Sequence, residues 1–224
     1  MFPISTFVNI VRLVLTHKKV AFDFHDLEPE MGSPAHLSLH PFNRVPILDH
    51  AGFRIYETSA IALYVDEAFG PALQPRDMRE RARMHQWISA VSSYYYPYMS
   101  YHLSHERLIY PALGIASDEK VVAHALPRIA IALDVMECEL CTDAVYLLGD
   151  QLTLADFFVL PTLTSLSMTP EGHEMLKTRP RITAWRARME AQPAVTKVWA
   201  MVAPHIGEPV EHARKWVETH RPQY

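Results

Sequence analysis

Three short runs in this 224-residue chain combine residue types able to hold or activate a small charged ligand. In YETSAI (Tyr56 to Ile61), Thr58 and Ser59 open a helix, where unpaired N–H groups and the positive end of the helix dipole bind a carboxylate. Glu57 beside them is placed to meet an ammonium, so a ligand carrying both groups on one carbon, such as an amino-acid end, fits. In FPISTFVNIVRLVL (Phe2 to Leu15), Ser5 and Thr6 lie at the start of the first helix. A hydroxyl there donates to a thiolate while the helix N-terminus stabilises the charge, lowering a thiol pKa from its free value of about 8.5. The serine is then a hydrogen-bond donor and not a nucleophile. In HPFNRVPIL (His40 to Leu48), a cis bond after Val45 turns the chain at Pro46 and leaves the Val45 N–H and C=O at a sheet edge. An extended peptide pairs with such an edge by strand addition. Taken singly, each run also has a plain structural reading: a helix cap at Thr58, an N-cap at Ser5, a loop-to-strand proline at Pro46.

Other reactive side chains carry less. Cys138 and Cys141 form a C-x-x-C, which supplies two of the four ligands a structural zinc needs. They fall within a helical pattern beside Glu137 and Glu139, which raise a thiol pKa, so helix-interior cysteines are expected. His102 and His105 share a helix face without a third ligand at metal-site spacing, and no metal is expected. No GxGxxG, GxxxxGK or GxSxG run is present, which removes dinucleotide, P-loop and nucleophile-elbow chemistry.

The elements that must position these residues follow from periodicity. Phe7, Val8, Val11, Val14 and Leu15 recur at helical spacing between Ser5 and Lys18. Val20 to Leu27 alternates apolar and polar as a half-buried strand does. A polar stretch with Pro29, Gly32 and Pro34 leads into a short helix around Ala35 to Leu39. Two short strands, Val45 to Leu48 and Phe53 to Tyr56, flank an Asp49–Gly52 turn, and Thr58 to Phe69 returns to helical spacing. Gly70 to Pro75 breaks the pattern and reads as a linker. Beyond it only helices are expected: Asp77 to about Tyr110 with a bend at Pro97, Asp118 to Thr142 with a kink at Pro127, then Thr153 to Ser167, Arg181 to Ala191, Ala194 to Val202 and Glu208 to Thr219. The reading is an α/β domain over residues 1–69, a linker at 70–75 and an all-α domain over 76–224.

These runs, in this order, resemble the glutathione transferase family, and the resemblance extends from Phe2 to about Met189. The family pattern has a catalytic Ser, Tyr or Cys before the first helix, an N-P-F-G-x-V-P segment, an E-S-x-A-I segment and a late S/T-x-A-D box. Here stand His40-Pro41-Phe42-Asn43-Arg44-Val45-Pro46, Glu57-Thr58-Ser59-Ala60-Ile61 and Thr153-Leu154-Ala155-Asp156. The resemblance implies a thioredoxin-like N-terminal domain that binds glutathione, with Ser5 as the activating serine of the phi, tau and theta type. It implies that Val45, ahead of a cis Pro46, pairs with the cysteinyl unit, that Glu57 and Thr58 hold the γ-glutamyl end, and that Arg44 stands near the glycyl carboxylate. The electrophile then lies between the domains, with Tyr94, Tyr98, Tyr101 and His102 as candidates to line its site. Three departures stand out. Either the first strand is shortened to Met1–Ile4 or the native start lies upstream, Asn43 replaces the family glycine, and Glu30-Met31-Gly32-Ser33 lacks the basic residue often found before the second helix.

Bulk properties agree with a globular enzyme. Hydrophobic residues are 49% and charged residues 21%, ordinary for a domain with a buried core, and a net charge of −4 provides no pull toward nucleic acid or anionic membranes. No apolar run of about 18 residues exists to span a bilayer. The absence of a signal-peptide pattern and only two cysteines imply a cytoplasmic setting. The expected activity is conjugation of glutathione thiolate to a hydrophobic electrophile, with a homodimer implied by the resemblance. A glutathione-dependent peroxidase or thiol reductase and a non-catalytic glutathione- or ligand-binding protein are the alternatives. Serine in place of cysteine argues against mixed-disulfide chemistry, and the short first strand favours the binding protein.

Overall fold

The structure, a computed structural model, describes residues 4–140, 144–209, 214, 217 and 220–224. In chain order the first elements are α1 (Thr6–His17), α2 (Pro34–Leu39), β1 (Ile47–His50), β2 (Phe53–Tyr56) and α3 (Thr58–Ala68). Then come α4 (Met78–Ala90), a π-helix over Val91–Ile109, α5 (Tyr110–Ala112), α6 (Glu119–Glu139), α7 (Leu154–Ser167), α8 (Pro170–Lys177), α9 (Pro180–Glu190) and α10 (Pro193–Val202). The backbone divides into two compact units, Met1–Leu73 with Pro193–Ile206, and Gln74–Gln192 with Gly207–Tyr224.

In the first unit α1 packs against both α3 and α10, which explains why its apolar residues are not confined to one stripe. Val8, Ile10, Val11, Leu13, Val14 and Leu15 are all buried. Arg12 is buried with them, its guanidinium 3.7 Å over the Phe24 ring, and burial lowers its pKa to about 10. β1 and β2 form an antiparallel hairpin with Ile47 opposite Tyr56 and His50 opposite Phe53. That register narrows the expected turn to Ala51 and Gly52, both at positive φ as a two-residue hairpin turn requires.

Two expectations need correction here, and a third falls mostly outside the described residues. Val20 to Leu27 is not a strand: among the described residues the sheet holds β1 and β2 alone, and an alternating sequence without a hydrogen-bonding neighbour stays irregular. The strand expected at Val45 starts at Ile47, because Val45 and Pro46 lie before the first paired residue. Of the first strand expected at Met1–Ile4, Met1 to Pro3 lie outside the described residues and Ile4 is in a turn.

The second unit is built around α7, whose residues Leu154 to Leu163 are buried without interruption. Asp156 anchors its start. This carboxylate, fully shielded from solvent, accepts from Thr153 N–H (2.9 Å), the Thr153 hydroxyl (3.1 Å), Leu147 N–H (2.9 Å) and the Trp185 indole (2.9 Å). The long helical region expected from Asp77 is found, but it changes winding at Val91. Pro97 lacks an N–H to donate, and i→i+5 bonds appear along the segment, as from Tyr110 N–H to the His105 carbonyl. Helix α8 was not expected; Thr169 caps it through Gly172 N–H at 3.1 Å, with Pro170 at its first position. Cys138 is exposed in the last turn of α6 and not deep within a helix, since that helix ends at Glu139. Cys141 and most of the helix expected at 208–219 lie outside the described residues.

Candidate functional site

Helix α1 begins at Ser5, which sits at the N-cap position with extended backbone and makes no side-chain capping hydrogen bond. Its carbonyl already accepts from Asn9 N–H at 2.9 Å, so the hydroxyl is held at the helix N-terminus without being used by the helix. Helix α3 begins in the same way. Glu57 occupies its N-cap position at φ 71°, again without a side-chain cap, and its carbonyl accepts from Ile61 N–H at 2.9 Å. Glu57 is exposed, while Thr58, the first helical residue, is buried. The strand therefore ends at Tyr56, and Thr58 is not itself the cap.

Two relationships gather these residues. The ladder closes at Ile47 opposite Tyr56, so the next residues outward, Pro46 and Glu57, flank the same open end of the hairpin. Lys18, at the C-cap of α1, is ion-paired at 2.5 Å to Asp66 in the last turn of α3. Two packed helices of 12 and 11 residues joined at their C-terminal ends run in the same direction, which leaves Ser5 and Thr58 at the same end. Ser5, Val45–Pro46 and Glu57–Thr58 thus share one rim of the first unit. The Val45–Pro46 bond is cis, as the sequence led us to expect.

The loop before Pro46 is held by two histidines that sequence reasoning passed over. His36 is fully buried; its Nδ1 accepts from Gly32 N–H at 3.3 Å, which leaves the hydrogen on Nε2 to donate to the Arg44 carbonyl at 3.1 Å. The Arg44 side chain itself is exposed. His40 is buried with its ring 4.6 Å from Tyr56, the residue before Glu57. Burial lowers the His40 pKa, opposed by the negative charge of Glu57 and assisted by His36 and Arg44. Asn43 adopts φ 54°, the left-handed conformation that a glycine otherwise supplies. The signal that could have flagged His36 is its place in Ser33-Pro34-Ala35-His36, where the Ser33 hydroxyl caps α2 at His36 N–H (3.1 Å) and fixes the ring beneath the loop.

In the second unit, three of the four expected electrophile-site residues come together and one does not. The Tyr98 ring lies 5.2 Å from His102, and the Tyr101 ring 5.7 Å from His102. His124 of α6 stacks 6.0 Å from His102, and Arg128 lies 5.4 Å over Tyr98. Tyr94 is 64% exposed and joins none of these ring contacts. The neighbouring Tyr95 is core: its hydroxyl donates to the Ala132 carbonyl at 2.9 Å. Tyr224 and His124 belong to the same cluster, and no spacing in the sequence announces either.

The chain as a whole is similar to proteins of one family. Residues 1–75 match the family described as glutathione S-transferase, N-terminal domain, and residues 87–193 match glutathione S-transferase, C-terminal domain. The chain is 30% identical over 195 residues to glutathione S-transferase F10 of Arabidopsis thaliana, covering 84% of this chain and 89% of the relative. It is 31% identical over 196 residues to a glutathione S-transferase of Hyoscyamus muticus, covering 84% and 91%. Among solved structures, glutathione S-transferase I from mais in complex with an atrazine glutathione conjugate superposes with a TM-score of 0.80 at 29% identity, covering 90% of this chain and 95% of that one. Glutathione transferase F7 from Populus trichocarpa gives a TM-score of 0.80 at 26% identity, covering 89% and 96%. With its N-terminal and C-terminal halves both matched by the family's models, the chain belongs to the glutathione S-transferase family.

Proposed function

We propose that this chain conjugates glutathione to hydrophobic electrophiles, binding glutathione on the rim of its first unit. The observation that carries the reading is that Ser5, Val45–Pro46 and Glu57–Thr58 share one end of that unit, with the Ser5 hydroxyl and the Glu57 carboxylate both left out of helix capping. The γ-glutamyl carboxylate takes the N–H groups at the start of α3, and Glu57 takes the adjacent ammonium. The cysteinyl unit pairs with the Val45 backbone as an added strand. Arg44 is the cation for the glycyl carboxylate.

The thiol gives its proton to solvent, and the Ser5 hydroxyl donates a hydrogen bond to the resulting thiolate beside the α1 N-terminus. A sulfur lone pair then forms the carbon–sulfur bond while the leaving group departs with its bonding pair. Rate enhancement comes from proximity and from supplying ionised sulfur at neutral pH. We assign the electrophile to the aromatic face formed by Tyr98, Tyr101 and His102; a relative solved with an atrazine glutathione conjugate supports an aromatic one. A cytoplasmic homodimer belongs to the same reading, and the apolar side chains of Met78 and Ile131, 72% and 66% exposed, are surface that a second copy would cover.

Calorimetric titration with glutathione, paired with an assay of glutathione-dependent release of halide from an activated aryl halide, tests this reading. Binding heat and catalysed release are expected. No heat, or release no faster than without protein, overturns it.

A further inference from the structure

The segment His220–Tyr224 lies against the aromatic face just described, anchored through Arg221 and half-exposed at Tyr224. Arg221 donates to the buried carboxylate of Glu106 at 2.9 and 2.5 Å and to the Ala116 carbonyl at 2.8 Å. Glu106 is fully shielded and also accepts from Asp118 N–H at 2.7 Å, so this contact is an anchor. The Tyr101 hydroxyl adds a bond to the His220 carbonyl. Three residues beyond the anchor, Tyr224 is 51% exposed. Its ring stacks on His124 at 3.7 Å and 16°, and its hydroxyl lies 2.5 Å from His102 Nε2.

The direction of that last hydrogen bond follows from the other ring nitrogen. His102 Nδ1 faces the Pro97 carbonyl, which only accepts, so Nδ1 carries the hydrogen. Neutral His102 therefore presents Nε2 as an acceptor, and the Tyr224 hydroxyl donates to it. Burial, His124 and Arg128 disfavour a second proton on His102, against the Pro97 carbonyl and Glu106. His124 supplies a flat ring to stack on, and His102 a buried acceptor at its edge.

We propose that His102, His124 and Tyr98 form a binding site for planar phenols, and that the Tyr224 side chain is its built-in, displaceable occupant. The proposal names a ligand class for the face assigned above to the electrophile and rests on that assignment. The ligand stacks its ring on His124 and donates its hydroxyl to His102 Nε2. A ring without a donor leaves that buried acceptor unpaired and is rejected. Tyr224 in place lowers the apparent affinity by the fraction of time it occupies the site, so removing it exposes the intrinsic affinity.

The test uses the whole chain without glutathione, so failure here leaves conjugation at Ser5 standing, and loss of conjugation leaves this binding intact. 4-Methylphenol and its methyl ether, 4-methylanisole, are titrated into the unaltered protein and into Tyr224→Ala, and Kd is measured. Tyr224→Ala is expected to bind the phenol about tenfold tighter than the unaltered protein does, and about tenfold tighter than it binds the ether. Equal phenol affinity in the two proteins, or equal affinity of Tyr224→Ala for phenol and ether, overturns the proposal. Tyr224→Phe, which keeps the ring and stacking, serves if Tyr224→Ala does not fold. It is expected to bind the phenol about threefold tighter than the unaltered protein because the His102 acceptor is vacated, and no gain there overturns the proposal equally.

Discussion

Lys18 and Asp66 form an ion pair 2.5 Å long from which solvent is almost wholly excluded, and it ties the C-terminal ends of α1 and α3 together. Lys18 Nζ also donates to the Asp66 carbonyl at 3.1 Å and to the Pro71 carbonyl, while Leu73 N–H donates to Asp66 Oδ1 at 2.8 Å. Taking away one partner strands the other charge in the core. Lys18→Met and Asp66→Leu are each expected to lose about 3–5 kcal/mol, with the double variant regaining part of that loss. Denaturant midpoints of the four proteins check this; a double variant as unstable as the sum of the singles would show that the charges are not coupled.

At the opposite end of α1, Ser5 is expected to act on the sulfur more than on the tripeptide as a whole. Ser5→Ala should cut kcat by about 100-fold while glutathione affinity changes by less than about threefold, since one donor to a developing or full anion is removed. Steady-state kinetics with calorimetry separates the two. The pKa of bound glutathione, read from thiolate absorbance, should rise in the variant. Equal losses in affinity and turnover, or no loss in either, would mean that the role given to Ser5 is wrong.

Glu57 holds φ 71° without being glycine, a conformation costing about 1 kcal/mol for a residue with a side chain. Glu57→Gly relieves that cost and removes the carboxylate. The variant is therefore expected to melt no lower than the unaltered protein while binding glutathione at least about tenfold more weakly, the loss of one charge-assisted contact. Thermal melts and titration together decide it, because a merely structural Glu57 would leave affinity unchanged.

His105 supplies a pH dependence. Its Nδ1 is buried with no partner among the described residues, and its ring lies 5.2 Å from Tyr101 and 5.8 Å from Tyr110. Burial, with a smaller contribution from His102, lowers its pKa to about 4. The unfolded chain takes up this proton near pH 6.5, well above the folded one. Stability from keeping His105 neutral is thus complete above about pH 6.5 and lost as pH falls toward 4, by about 3 kcal/mol in all. His105→Phe should flatten that part of the profile. Denaturation at pH 7, 6, 5 and 4 compares the two proteins, and parallel profiles would refute the assignment.

Much of this was legible in the sequence because it rests on local chemistry. The cap positions of α1 and α3, the Pro46 turn and the Thr153–Asp156 box are each set by a few adjacent residues, and all lie within a residue or so of where the motifs put them. What could not be read depends on residues far apart. Val20 to Leu27 has the alternation of a strand, but pairing needs a neighbour that alternation does not reveal. His36 and His40 gain their roles from a loop that folds back over them. The contacts of Tyr224 with His102 and His124 span about half the chain, beyond the reach of any period. The change of winding at Val91 was hidden because Pro97 signals a break without saying which kind.

Helix α10 has a consequence for how this protein can be cut and inherited. The chain leaves the first unit after Leu73 and comes back at Pro193, so that unit is not a continuous stretch of sequence. A fragment ending at Leu73 would keep Ser5, Pro46 and Glu57 yet leave the flank of α1 that packs on α10 in water. Recombination that joins a new C-terminal half at that point would have to bring its own substitute for Ala194, Val195, Val198 and Val202, or produce a chain that aggregates. The two halves are therefore expected to have travelled through descent as one parcel.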